Sequence, residues 1–186
     1  YQAYRPIVTT SQAQDYKLGN GYDLFYFHLS TYILFVLLGL LMLLLFKKLL
    51  NLSSENKYTA YVALFATAWY MLHPAIAETV NYIIARSDVQ STLAVVAGFV
   101  LYLYSPFCKK TFIYLIPVGI GALAKPPAVM FAPLFFVYIL LFEEKLSLPD
   151  IFKRAHIKQL SNTVLKSLPA FIFGGLLLLL ISRVTA

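Results

Sequence analysis

Three basic residues stand where an apolar chain has least reason to keep them. Arg86 lies in "HPAIAETVNYIIARSD", from His73 to Asp88, between two apolar runs. Lys125 lies in "LAKPPAV", from Leu123 to Val129, and Arg5 opens the amphipathic stretch "RPIVTTSQAQD". A guanidinium presents a planar fork of donors that matches phosphate oxygens, and an ammonium supplies a compact positive charge. Pro126 and Pro127 cannot continue a preceding helix but can start a new one. Lys125 therefore sits just ahead of a helix N-terminus, where its charge adds to the positive end of the dipole. Phosphate binding is the chemistry these three residues suit.

The supporting residues are Glu78, Asn81, Asp88 and His73. Taken as one helix from Glu78 to Asp88, at about 100° per residue, Glu78, Asn81, Arg86 and Asp88 fall within an arc of about 160°. Val80, Ile83 and Ile84 fall opposite. Such a helix is too short to span and lies at the interface. Its polar face presents Glu78, Asn81 and Arg86 along one groove. A plainer arrangement is open for each residue: Glu78 and Arg86 pair to fasten a loop, and Lys125 snorkels to the interface. His73, before Pro74, suits a cap or a hydrogen-bonding partner. No second His or Cys lies near it, so no metal site is expected. Asp15 and Asp23, the only acids before the first apolar run, read as solvated loop residues.

The elements that must position these side chains are membrane helices. The chain of 186 residues is 60% hydrophobic and 12% charged, with a mean hydropathy of +0.75. A soluble domain carries about a quarter charged residues. A membrane-crossing helix needs about 20 apolar residues. Six spans are expected, over 27–46, 58–72, 90–104, 111–124, 126–142 and 163–181. Residues 1–26 and 73–89 form loops, the latter with the interfacial helix. Residues 143–162 form a charged loop with a short surface helix after Pro149. The whole is one all-α, polytopic transmembrane domain.

Charge orients it. Lys47, Lys48, Lys57, Lys109, Lys110, Lys145, Lys153, Arg154, Lys158 and Lys166 lie on one side of this arrangement. Arg5, Lys17, Arg86, Lys125 and Arg183 lie on the other. The first set marks the cytoplasm by the positive-inside rule. The three candidate phosphate ligands then face the periplasm or an organelle lumen. The net charge of +7 is read as membrane orientation, with no nucleic-acid partner. No Gly-rich phosphate loop marks a nucleotide site. The single Cys108 cannot form an internal disulfide. Transporters tend to carry polar residues near the midplane, whereas here the charges cluster at one face.

Several stretches resemble a known family. "YRPIVTTSQAQDY…GYDLFYFHL" resembles the first outer loop and following helix of the GT-C-fold protein O-mannosyltransferase-like group. "LHPAIAETVNYIIARSDVQSTLAVVAGFVLYLY" resembles its His-Pro, Glu-x-Val and Arg-x-acid pattern. "ALAKPPAVMFAPLFFVYILLFEE" resembles its Lys-Pro segment. The likeness covers most of Tyr4 to Glu144, and the nearest members are the transmembrane and tetratricopeptide-repeat-containing O-mannosyltransferases and their bacterial homologues. The resemblance implies a partial GT-C fold in the bacterial inner membrane or the endoplasmic reticulum membrane. It implies transfer of a sugar from a polyprenyl-phosphate donor to a protein Ser or Thr, or to another acceptor such as a glycan. No cofactor is implied. Arg86, Lys125 and Arg5 would hold the donor phosphate, with Glu78 orienting Arg86 or touching the sugar. The family's catalytic acid belongs early in the first outer loop, ahead of the point matching Tyr1, so the chain is read as an internal piece. The alternatives are a non-enzymatic membrane subunit of a larger assembly and a lipid-binding or transport protein.

Overall fold

The computed structural model describes residues 5–54, 56–147 and 156–185. The surface helix expected after Pro149 lies outside them. The described chain is all-α, without a strand. Its helices are α1 (Pro6–Leu18), α2 (Leu24–Ser53), α3 (Thr59–Leu72), α4 (Pro74–Asn81), α5 (Arg86–Tyr104), α6 (Pro106–Lys110), α7 (Leu115–Ala124), α8 (Phe131–Tyr138) and α9 (Ile157–Thr185).

Local sequence explains the boundaries. α1 begins with Pro6 in its first turn, where a missing N–H costs nothing. The "LGNGYD" turn follows, with Asn20 at φ 50° and Gly21 at φ 142°. Asp23 then caps α2 by accepting from the Phe25 N–H at 3.0 Å. His73 ends α3 and caps α4, its Nδ1 accepting from the Ala75 N–H at 3.2 Å. Ser105 caps α6 by accepting from the Cys108 N–H. Phe112, at φ 58°, separates α6 from α7.

Among the described residues, four helices are long and apolar enough to cross a membrane: Leu24–Ser53, Ile83–Tyr104, Pro126–Glu143 and Ile157–Val184. The pair Thr59–Leu72 and Pro74–Asn81, bent by 60° at His73, passes the same test together. α7 is apolar but has only 10 residues, about 15 Å of helix against a hydrocarbon core of about 30 Å. Where six spans are expected, the described residues hold four continuous helices, one bent pair and one short helix. The third begins before Gln90, because Ile83–Ala85 is a 3-10 turn leading into α5. Only 28% of the apolar window of Leu24–Ser53 and 22% of that of Ile157–Val184 are buried. Apolar faces left open on that scale call for a hydrocarbon solvent, and the protein is a membrane protein.

The chain divides after Ala128 into two compact units. In the first, α5 packs against α2 and α7, α3 lies along α2, and α1 rests on α2, α5 and α7. Leu38, Ala63, Val89, Val118, Ala122 and Ala124 are buried there. Small residues set the closest approach. A Cβ added at Gly121 would stand 2.5 Å from the Ala94 Cβ, so α5 and α7 touch nearly backbone to backbone. In the second unit Phe131, Phe135, Tyr138 and Phe142 form a ladder of stacked rings along α8 and the π-turn Ile139–Glu143. Phe136 meets Phe171 of α9 edge-on, and Lys166 of α9 pairs with Glu143 at 3.1 Å and Glu144 at 2.8 Å.

One expectation is corrected here. Glu78 to Asp88 is not a single helix. α4 stops at Asn81, Tyr82 is extended at φ −91° and ψ 118°, a 3-10 turn covers Ile83–Ala85, and Arg86 opens α5. The amphipathic helix of this stretch is α4 alone. Its Glu78 and Asn81 are exposed, and Ile76 and Val80 are half-buried on the other face. The break at Tyr82 frees Arg86 from the register of α4 and turns it inward. Arg86 therefore shares no face with Glu78 and Asn81.

Candidate functional site

The first turn of α5 joins three parts of the first unit through three consecutive residues. Arg86 reaches α1 and α2, Ser87 meets Arg5, and Asp88 meets Lys125. The three basic residues singled out in the sequence are thus assembled around one helix end.

Arg86 is fully buried. It forms an ion pair with Asp15 on α1. Its Nε donates to Thr31 Oγ1 at 3.0 Å, Nη2 to the Phe27 carbonyl at 2.6 Å and Nη1 to Ser11 Oγ at 3.5 Å. The guanidinium also lies 5.9 Å from the centre of the Phe27 ring. Asp15 is buried as well and accepts from Ser30 Oγ at 2.8 Å. Burying two charges costs several kcal/mol per ion unless the pair and its remaining hydrogen bonds offset the lost water. Here every hydrogen-bonding partner of the pair is a hydroxyl, a carbonyl or the opposite charge, so the pair is well compensated.

Asp15 is the residue that sequence reasoning misplaced. It is not a solvated loop acid, because α1 carries it on the same face as Val8 and Ser11. The signal was available: Val8, Ser11 and Asp15 recur at helical spacing. What the sequence did not supply was the partner.

Arg5 and Lys125 are less enclosed. Arg5 Nη1 donates to Ser87 Oγ at 3.5 Å, and its buried Nε has no hydrogen-bond partner among the described residues. Lys125 forms an ion pair with Asp88, and the two side chains are 29% and 45% exposed. The Lys125 backbone closes α7: its N–H donates to the Gly121 carbonyl at 2.8 Å, and its carbonyl lies 3.5 Å from Ser91 Oγ. The ammonium thus stands at the negative end of α7 and just ahead of the 3-10 turn Pro126–Met130. Gln90, one turn into α5, donates from Nε2 to Ser11 Oγ at 3.1 Å, while its buried Oε1 has no partner among the described residues.

The charges here are Arg5, Arg86 and Lys125 against Asp15 and Asp88. One positive charge remains in excess, reinforced by the N-terminus of α5. The Arg86 guanidinium is fully buried against Asp15, which leaves Arg5 and Lys125 as the cations of the cluster with side-chain surface that an anion could reach. Glu78, Asn81 and His73 stay exposed on α4 and at its head. Among the described residues, their side chains make no hydrogen bond or ion pair to the three cations. Among the described residues, no group of three or more His, Cys, Asp or Glu could hold a metal ion.

Fold and site together define the class, an all-α membrane protein with a polar cluster at one helix end. No known protein family, curated protein or solved structure matches the chain.

Proposed function

We propose that this chain belongs to a membrane glycosyltransferase of GT-C type. It would take a sugar from a polyprenyl-phosphate donor and pass it to a protein Ser or Thr, or to another acceptor, outside the cytoplasm. The observation that carries the reading is the convergence of Arg5, Ser87, Asp88 and Lys125 at the head of α5, from sequence stretches that each resemble the family in the same order. Six spans, counting α7 and the α3–α4 pair, and the outward placement of this cluster are part of the proposal. The reaction is a direct displacement at the anomeric carbon. A carboxylate takes the acceptor proton, and fixed positive groups stabilise the departing phosphate. Lys125 and Arg5 are the groups placed for that second task. Arg86 serves them from behind by holding α1, and with it Arg5, against α5. The proton-accepting carboxylate is assigned to no residue described here.

The test is binding of a polyprenyl-phosphate sugar to the protein in nanodiscs, compared with Lys125→Gln. Weaker binding by Lys125→Gln, with an unchanged melting temperature, supports the reading. Equal binding removes Lys125 from the phosphate, and no binding by the unaltered protein removes the reading itself.

One observation favours a second reading, a non-enzymatic membrane subunit. Arg86 has its donors engaged by Asp15, Thr31, Phe27 and Ser11, which is how a structural arginine is held. Purification of the native protein in a stable complex, with no affinity for the lipid donor, would favour it.

A further inference from the structure

The first unit is charged unevenly from one end to the other. α5 rises about 28 Å from Arg86 to Tyr104, so the residues that follow it stand at the opposite end from the Arg86 cluster. Lys109 and Lys110 close α6 there. Lys47 and Lys48 lie near the end of α2, which packs along α5. Tyr104 ties the two stretches together. Its hydroxyl donates to the Leu44 carbonyl at 3.0 Å, and Lys48 Nζ lies over its ring at 5.5 Å. Lys109 Nζ stands 4.5 Å from the centre of the Tyr102 ring, which meets Tyr114 edge-on. The described carboxylates of this unit, Asp15, Asp23, Glu78 and Asp88, lie on α1, on α4 and at the heads of α2 and α5. Among the described residues, Lys47, Lys48 and Lys110 have no ion-pair partner. Two large rings stand beside the lysines, Phe107 at 66% exposure and Phe112 at 49%. Phe112 has φ 58°, a conformation that bulky side chains rarely adopt.

We propose that this end of the unit is a seat for anionic phospholipid. Lys47, Lys48, Lys109 and Lys110 meet the phosphodiester headgroups of the leaflet on that side, and the rings of Phe107 and Phe112 lie among its acyl chains. The occupant follows from charge and ring taken together. A soluble acidic partner would satisfy the lysines but leave the rings in water. A zwitterionic lipid would cover the rings but bring no net negative charge. An anionic phospholipid does both, and aromatic rings beside lysines suit the boundary between headgroups and hydrocarbon. The tyrosine rings fix Lys48 and Lys109 before the lipid arrives, which lowers the ordering cost of binding. A lysine that only snorkels needs no such support. Phe112 meets Tyr114 at 6.3 Å, yet half of its surface stays open, so packing within the chain does not account for its unfavourable backbone. The seat uses no residue of the cluster at the head of α5 and stands independently of the proposed sugar transfer.

The test is competition between phosphatidylglycerol and phosphatidylcholine. The protein is reconstituted in nanodiscs holding equal amounts of the two, then released, and the lipids that stay bound are counted by native mass spectrometry. The unaltered protein should retain phosphatidylglycerol over phosphatidylcholine by about tenfold or more, since one lysine at an anionic surface is worth about fivefold. Lys48→Gln and Lys109→Gln should each lower that ratio by about fivefold, and Lys48→Arg should keep it. Lys17→Gln, on α1 and beyond a Debye length from the seat, should change it by about twofold at most. Phe112→Gly is a second kind of variant. Glycine takes a positive φ without steric cost, so this variant should melt no lower than the unaltered protein and yet retain less of either lipid. Equal retention of the two lipids by the unaltered protein would overturn the seat. So would an undiminished ratio in Lys48→Gln and Lys109→Gln, or an equal fall in Lys17→Gln, which would make overall charge the cause. A Phe112→Gly protein that melts lower and retains lipid normally would overturn the place of that ring in the seat. Binding of soluble polyglutamate in preference to the lipid, lost in the same lysine variants, would assign this end to an acidic protein and overturn the lipid reading.

Discussion

Arg86 at the start of α5 and Asp15 on α1 form an ion pair with side-chain exposures of 0% and 5%. A pair so placed holds a short, largely polar helix onto a membrane bundle. α1 is not long and apolar enough to be fixed by the bilayer, so its position depends on what it binds. Val8 contributes apolar contact, and Ser11, Asp15 and Ser30 complete the polar part. Because Arg5 directly precedes α1, the pair also fixes where that cation stands.

Removing one partner of this pair should be costly. Asp15→Ala leaves a buried guanidinium without its counter-charge, which typically destabilises by about 3–5 kcal/mol. Thermal melting in nanodiscs should show a clear fall in melting temperature. The double replacement Asp15→Leu with Arg86→Met should recover much of the loss, since neither charge is then stranded. A single variant that melts with the unaltered protein would show that the pair is not holding α1.

Thr31→Val is a finer probe of the same network. Valine keeps the shape but removes the acceptor at 3.0 Å from Arg86 Nε. A buried donor left unsatisfied costs about 1–3 kcal/mol. The variant should melt between the unaltered protein and Asp15→Ala, and Thr31→Ser should fall closer to the unaltered protein.

The Lys125–Asp88 pair should behave differently. Both side chains are partly exposed, and such pairs contribute about 0–1 kcal/mol after solvent screening. Lys125→Gln and Asp88→Asn should leave the melting temperature nearly unchanged. Their effects on phosphate-lipid binding should be opposite in sign: loss for Lys125→Gln, gain for Asp88→Asn, which releases the ammonium from its partner. Parallel losses by both variants would contradict a site at Lys125.

Gly121 tests the packing beneath the site. A Cβ there meets the Ala94 Cβ at 2.5 Å and the Ala128 Cβ at 3.2 Å. Gly121→Val must push α7 from α5 and should cost about 1–3 kcal/mol, as overpacking does. Gly121→Ala should cost less, and Ala94→Gly should relieve part of it. Additive melting shifts for Gly121→Ala and Ala94→Gly would argue against the contact.

The sequence by itself determined the solvent of this protein and most of its local punctuation. Long apolar runs of leucine and phenylalanine dictate helices in hydrocarbon, because each helix satisfies its own backbone there. The turn at Asn20 and Gly21 and the cap at His73 follow from residue types and their immediate neighbours. The three cations were also legible, since charge in an apolar chain is conspicuous. The tertiary structure alone decided what each does. Periodicity continued one helix from Glu78 to Asp88, but Tyr82 breaks it and Arg86 turns inward to Asp15, a residue that looked solvated. It also shortened α7 to half a span and put Lys125 beside Asp88. Helix formation in an apolar chain is a local property of composition. Pairing charges carried by separate helices depends on how those helices pack, and spacing along the chain does not encode it.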